Sequence, residues 1–411
     1  MPVLPPPPLE RDGVLDWVGT HLGHLAWEPG SVVASPVRGG QAAADAALAG
    51  LDLSGYASRR SEVWPRERRG SSRLSPYVRH GLLTLPAVWA AAAGAPARDR
   101  AKFRDELLWQ EYARHLYARL GPATARPLRF ADPVPVPSPV PVQPWVREPW
   151  PADMACVATT TAELHEEGWL VNQTRMWLAS QHSVRAGGDW RAGAREMYRH
   201  LLDGSAAANR LGWQWAVGTA TGKVYGFSRW QVEKRAPGLC GTCALQRACP
   251  IQEWPEVQAG PRLDAGPALA GGPGWEGESG AGPRRAEVSA PPEAVWLTAE
   301  SLGRSDPALV AHPDLPAVFV LDEPLLARLR LSGKRLVFLA ETLAELGCEV
   351  RLGDPVRELA GRRLAVTHAP VPGFARRAAR LDVVARHPWP WLRRPGSGSL
   401  RSFSAWARSA R

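Results

Sequence analysis

Apolar residues recur three and four positions apart through "GQAAADAALAGL", "FRDELLWQEYARHLYARL", "TTTAELHEEGWLVNQTRMWLASQHSV" and "WRAGAREMYRHLLDG", with Ala, Leu, Arg and Glu between them. That period predicts helices through most of the region from Arg38 to Pro255. Alternating runs are too few there for a sheet. "ADPVPVPSPVPVQPW" interrupts the helices, and its prolines predict extended chain laid over the surface. From Glu256 to Pro292 the chain turns to Gly, Pro and Ala with scattered charge, too poor in large apolar side chains to fold alone. Beyond it, "AVWL", "AVFVL", "CEVRL" and "LAVTHA" predict buried strands, and "GKRLVFLAETLAELG" places Leu336, Leu339, Leu343 and Leu346 on one helical face. Strand and helix in alternation imply a small parallel α/β unit. The expected organisation is a Pro-rich segment over 1–37, a helical domain over 38–255, a flexible linker over 256–292 and an α/β domain over 293–411.

Composition adds two facts to this outline. The 411 residues carry a formal charge of +10, with Arg far more frequent than Lys, so a polyanionic partner such as nucleic acid is a candidate. Nineteen tryptophans are an unusual number. No run of about 18 apolar residues is present, which predicts no membrane span. The start "MPVLPPPPLERDG" lacks the basic and apolar regions of a signal peptide, so the expected location is cytoplasmic. Three of the five cysteines fall in "CGTCALQRAC", which suits a metal or redox site in a reducing compartment better than disulfides.

Candidate chemistry concentrates in three helical stretches. Glu106 and Trp109 are three apart and share a helix face, where a carboxyl beside an indole can hold a flat heterocycle by one hydrogen bond and one stack. Asn172 and Met176, four apart, also share a face, with Arg175 alongside. An ordinary amphipathic helix is the alternative for either stretch. In "LLDGSAAANRLGWQWAVGTATG", read as one helical segment, Trp213 and Trp215 point to nearly opposite sides. One can face a core or cofactor while the other lines an opening, and the small residues before them let another molecule approach the backbone.

At these residues the chain resembles a known family. "SSRLSPYVRHG", "FRDELLWQEYARHL", "GWLVNQTRMWLAS", "DWRAGAREMYRHLLDG" and "AAANRLGWQWA", in this order, resemble the FAD-binding helical domain of the photolyase and cryptochrome family over about Arg38 to Lys234. The resemblance implies that Ser72, Arg73, Leu74 and Ser75 line the FAD phosphates, with Tyr56 the aromatic residue before them. It implies that Arg175 and Asp203 pair beside the flavin and that Asn209 faces its N5. It gives Glu106, Trp109, Asn172, Met176 and Trp215 the positions that hold a cyclobutane pyrimidine dimer, and Trp190 and Trp213 the inner places in the tryptophan chain that reduces the flavin. Trp145 and Trp150 are candidates for the outer place. Four positions depart from the pattern: Ser205 replaces a second acid, Gln173 a basic residue, and Arg210 and Leu211 the usual small or amide pair. "AVWLTAESLGRSDPAL", "AVFVLDEPLL" and "KRLVFLAETLAELGCEVRLGDP" resemble the family's antenna domain, which comes first in the family and follows the flavin domain here. An independent α/β module is the alternative, and nothing in this region identifies an antenna chromophore.

"CGTCALQRACP" places Cys240, Cys243 and Cys249 before a proline, a frequent iron–sulfur ligand pattern that needs a fourth thiolate. Cys156 supplies it by resemblance, because one bacterial branch of the family binds a 4Fe-4S cluster with an upstream cysteine and a later C-x2-C. Structural zinc and unligated thiols are the alternatives. Cys348 reads as a small buried hydrophobe.

Three function classes follow. The first is a monomeric, FAD-dependent photolyase acting on UV-damaged DNA, with cyclobutane dimers ahead of 6-4 photoproducts because Val171 and Asn172 stand where the latter activity uses a histidine. The second is a cryptochrome-like blue-light receptor without repair activity. The third is a flavin- or DNA-binding scaffold without photochemistry.

Overall fold

The computed structural model describes residues 3–30, 32–133, 150–264, 266–272 and 278–409. Most of the Pro/Val stretch, and Trp145 with it, lies outside the described residues. The architecture is a helical domain joined to a small α/β domain.

The helices that carry the argument are α1 (Arg11–Leu22), α2 (Gln41–Ala49), α3 (Tyr56–Arg59), α4 (Ser75–Arg79), α5 (Ala97–Leu120), α6 (Ala155–Glu167), α7 (Asn172–Ala179), α8 (Trp190–His200), α9 (Ala206–Ala216), α10 (Arg229–Arg235), α11 (Gly333–Leu346) and α12 (Phe403–Ser409). The long stretch read as continuous helix from Thr159 breaks once. Gly168 takes a left-handed φ of 67°, ends α6 and turns the chain into α7. Residues 201–205, expected to be helical, are a loop that delivers Asp203, and α9 begins only at Ala206. The Asp189 side chain accepts from the Arg191 amide and starts α8.

Six strands form one sheet: β1 (Glu287–Val288), β2 (Ala294–Leu297), β3 (Ala317–Asp322), β4 (Glu349–Gly353), β5 (Leu364–Thr367) and β6 (Val383–His387). Their order is β1-β6-β5-β2-β3-β4, parallel except for β1 against β6. The chain moves outward from β2 through β3 to β4, then crosses to the other side of β2 to make β5 and β6. The carboxyl ends of β2 and β5 therefore flank a topological switch point, the usual place for a ligand crevice in such sheets.

The terminal and linking segments are more integrated than their composition suggests. Val3 bridges Arg351 on edge strand β4, and the Leu4 amide donates to Val350 at 2.9 Å. Helix α1 packs against α11, so α11 is covered on both sides and buried almost throughout rather than on one leucine face. The expected linker contributes β1 and the short helix Pro267–Ala270, whose Leu269 packs with Tyr112 and Leu116 of α5.

The two domains share a core that runs from Tyr77, Val78 and Phe103 to Val295, Phe319 and Leu336. Two glycines permit the close approach. A Cβ on Gly39 would lie 2.1 Å from the Phe338 carbonyl oxygen, and one on Gly81, at φ +73°, 2.2 Å from that of Glu300. Across the same seam Arg79 pairs with Glu300 at 2.6 Å, both nearly inaccessible to solvent.

Candidate active site

The residues expected to cradle a cofactor converge through three loops. Ser75 Oγ accepts from the Trp169 indole at 3.0 Å, the Arg73 guanidinium lies 4.7 Å from the Trp169 ring centre, and Arg73 pairs with Glu167. These contacts join the 72–75 loop to the 167–170 turn. That turn meets the 201–204 loop, because the Leu202 amide donates to Gly168 O at 2.8 Å. Arg175 binds Asp203 in two-pronged fashion at 2.7 and 3.1 Å and also donates to Leu170 O. Asp203 is buried and Arg175 partly so, which makes this a positioned pair rather than a surface contact.

On the neighbouring face, buried Tyr56 meets Phe103 edge-on at 5.2 Å, and Glu106 receives Arg60 at 3.3 Å and Lys102 at 2.8 Å. Burial raises the Tyr56 phenol above its ordinary range, and the Glu106 charge adds to the shift. Asn209 donates from Nδ2 to Ala194 O at 2.7 Å, which ties α9 to α8 and leaves its side-chain oxygen free of that bond.

The residues expected to hold a damaged base are spread over different surroundings. Trp109 stacks on Phe403 of α12 at 4.0 Å with ring planes 8° apart. Asn172 is exposed at the start of α7, whereas Met176 is buried in the core beside Trp177 and Trp213. Trp213 and Trp215 divide as expected from their spacing, one 2% and the other 38% exposed. Trp213 packs against the bare backbone of Gly193. It also meets His182 edge-on at 5.4 Å, and His182 in turn meets Trp150 at 6.2 Å. Trp150 is buried and donates to Leu178 O, while Trp190 is buried and donates to Asp132 at 2.9 Å.

A cavity of about 570 Å³ opens between the domains at the carboxyl ends of β2 and β3. Nine arginines line it against two carboxylates, Glu300 and Asp322, so it favours an anion. Arg191, Arg195 and Arg199 reach it from α8, each four residues from the next, a helical face already present in "WRAGAREMYR". Burial alone would raise the Tyr198 phenol, but Arg335 and Arg79 override burial and lower it. Burial lowers His80 to about 3, and those two cations add to the effect. Of the expected site residues, Asn209 and Trp190 line this cavity, whereas the 72–75 loop, Arg175 and Asp203 do not.

Cys156, Cys240, Cys243 and Cys249 line one small apolar cavity of about 20 Å³ together with Met154 and Ile251. Among the described residues no group of three or more His, Cys, Asp or Glu side chains is set to hold a metal ion. Cys348 is buried in the α/β core as expected.

Sequence reasoning missed Trp169, His182 and Phe403. Trp169 was visible in the quoted "GWLVN" motif. His182 and Phe403 carry no local signal for these contacts, because Trp150 and Trp213 for His182 and Trp109 for Phe403 lie 31 or more residues away.

Comparison with known proteins bears on the helical domain. Residues 154–235 match the family described as the FAD binding domain of DNA photolyase. The chain is 35% identical over 197 residues to a deoxyribodipyrimidine photo-lyase of Thermus thermophilus, covering 42% of each protein. It is 28% identical over 169 residues to one of a Synechococcus species, covering 36% of this chain and 32% of that one. The chain thus spans about a third to two fifths of the curated relatives it matches. Among solved structures, an archaeal photolyase from Sulfolobus tokodaii with two FAD molecules matches at 22% identity and a TM-score of 0.41, over 53% of this chain and 50% of that one. The resemblance to the photolyase and cryptochrome family is borne out. Among the described residues no helix is long and apolar enough to cross a membrane.

Proposed function

We propose that the protein is a light-driven, FAD-dependent lyase that splits cyclobutane pyrimidine dimers in DNA. The observation that carries this reading is the Arg175–Asp203 pair, held two-pronged between the 167–170 turn and the 201–204 loop, within the segment that matches the FAD-binding family. The residues present fit the cofactor. Ser75 accepts from Trp169 and keeps its own proton to donate to a phosphate oxygen, and Ser72 lies in the same loop. Arg175 and Asp203 offer a fixed cation and anion to a polar heterocycle, and Asn209 is anchored by one bond so that its side-chain oxygen has a set direction. When bound, reduced FAD supplies, on illumination, the electron that opens a dimer.

The other roles belong to the chain's own side chains. A dimer inside a duplex must be flipped out, at a cost of about a few kcal/mol. Stacking on Trp215 and Trp109 offsets that cost by about 1–3 kcal/mol per base. Phe403 already covers one face of Trp109, so a base takes the other face or displaces Phe403. Glu106 and Asn172 are the hydrogen-bonding groups for the base carbonyls, with Lys102 and Arg60 orienting the Glu106 carboxyl. The α/β unit, docked through Gly39, Gly81 and the Arg79–Glu300 pair, is read as a permuted antenna-type domain.

The test is to illuminate reduced, flavin-loaded protein with dimer-containing single- and double-stranded DNA and count restored thymines. Glu106→Gln is expected to lower the repair yield more than the affinity, since its interaction is worth most where charge develops. Loaded protein that restores no thymine on either substrate refutes the reading and leaves a photoreceptor in its place.

For the thiolate site we propose a 4Fe-4S cluster on Cys156, Cys240, Cys243 and Cys249, with zinc as the competing occupant. Four thiols from α6 and the 240–249 loop facing one small cavity support it. The loop must tighten around the occupant to bring the sulfurs within bonding distance. Anaerobically purified protein should contain about four irons and four acid-labile sulfides per chain. Stoichiometric zinc without labile sulfide replaces the cluster by a structural metal, and metal-free folded protein ends the proposal.

A further inference from the structure

Among the described residues four tryptophans are exposed: Trp64, Trp215, Trp230 and Trp254 at 38, 38, 63 and 48%. All four gather around α10. Trp230 lies on that helix, with Lys234 Nζ 4.7 Å from its ring centre, and the Trp64 amide donates to Arg235 O at the helix end. Trp215 leans on Tyr225 at 5.4 Å, and Tyr225 meets Trp254 edge-on at 5.8 Å. The Tyr225 hydroxyl is held by Gln173 at 2.7 Å and lies 3.5 Å from Gln231 of α10. Trp254 can lie there because Gly226 has no side chain: a Cβ on it would stand 2.2 Å from Pro255.

An indole left half in water is a cost unless something covers it, and four of them tied to one short helix mark a candidate contact surface. Charge identifies the cover. Lys234 lies over the Trp230 ring, and Arg229 and Arg235, paired with Glu233 and Glu62, keep this face charged, whereas the cores of protein interfaces are depleted of charge. Aromatic faces alternating with cations are the arrangement that takes bases and phosphates of an unpaired strand. The chain's charge of +10 favours the same polyanion.

We propose that Tyr225 and Trp254, next to Trp215 and continued by Trp230 on α10 and Trp64 at its end, form a stacking track for unpaired nucleotides of single-stranded DNA. The proposal shares the DNA partner of the repair reading but needs neither flavin nor damage. It gives the protein a site for nucleotides flanking a flipped base, and a preference for single strands.

Fluorescence anisotropy of the full chain with a labelled, undamaged oligothymidylate tests it. Trp254→Ala and Trp230→Ala should each weaken binding by roughly 5- to 100-fold, the value of one base stack. Trp254→Phe should recover most of that loss. Added salt should weaken wild type and variants alike, since the phosphate contacts are common to all. Because these side chains are exposed, unchanged melting temperatures will verify folding. Alanine variants that bind the oligothymidylate as tightly as the wild type, while the wild type still binds dimer-containing duplex, overturn the track and leave the repair reading standing. A wild type that binds no DNA overturns both. Concentration-dependent dimerisation abolished by Trp230→Ala, without DNA binding, reassigns the patch to a contact between copies.

Discussion

Asp203→Ala protein should purify folded but with its flavin largely lost, at about 30-fold lower affinity for added FAD than the wild type. Asp203 is the sole carboxylate paired with Arg175 among the ion pairs of the described residues, and it is buried on the 201–204 loop. Removing one partner of such a pair strands the other charge, at about 3–5 kcal/mol when the site is closed to water. Arg175 keeps a quarter of its side chain in solvent, so the expected cost is nearer 2 kcal/mol, and each 1.4 kcal/mol is tenfold in affinity. Asp203→Asn keeps the shape and one acceptor and should lose less. The measurement is the ratio of flavin to protein absorption after purification, followed by titration with FAD, with circular dichroism to verify the fold. Asp203→Ala protein that retains full flavin would remove the Arg175–Asp203 pair from the site.

Stability should fall by several kcal/mol as pH is lowered from about 6.5 to about 4. Burial is the first cause of low values at four histidines, with His80 held down to about 3 and His115, His165 and His182 to about 4. The sign follows from linkage. In the unfolded chain each imidazole binds a proton below its ordinary pKa of 6.5, while in the folded protein it stays neutral, so protons favour unfolding through that window. Each unit of displacement is about 1.4 kcal/mol, and four groups shifted together exceed any single opposing term.

Local contacts explain why His115 resists its proton. The Trp406 indole donates to His115 Nδ1 at 2.8 Å, and the other ring nitrogen bonds the Arg393 carbonyl at 2.7 Å, which fixes the neutral tautomer. His80 faces two carbonyls that would welcome a cation, but burial with Arg79 and Arg335 outweighs them. Glu111 works in the opposite direction. Burial raises its carboxyl to about 7, which favours the folded state on the acid side and subtracts from the loss. Urea unfolding at a series of pH values measures the slope. His115→Asn should flatten it by about one proton, and equal stability at pH 7.5 and pH 4.5 would refute the assignment.

How much of this was legible in the sequence varies with the range of the forces involved. The helices of the helical domain, the split between Trp213 and Trp215 and the strands β2 to β5 were all readable from periodicity, because side-chain direction within one element is set by local backbone geometry. The motifs around Ser75, Arg175, Asp203 and Asn209 were readable as well, since each lies within a short continuous segment. Strand β6 was missed because "VVARH" neither alternates cleanly nor runs apolar; it is a strand only through pairing with β5. Strand β1 is two exposed residues whose structure comes from the β6 edge.

Tertiary structure alone decided how the pieces meet. The Pro-rich start gives no sign that Val3 will bridge β4 or that α1 will cover α11, because the apolar surface it buries lies more than 300 residues away. The arginines of α8 were countable in advance, but only docking of the two domains turned them toward a cavity shared with the strand ends of the sheet. The same holds for Phe403 on Trp109 and for the four exposed tryptophans around α10. Sequence determined which side chains each element carries and on which face, because those follow from bonds to neighbouring residues. Which faces meet was decided by burial and close packing between distant segments, to which adjacent residues contribute no local constraint.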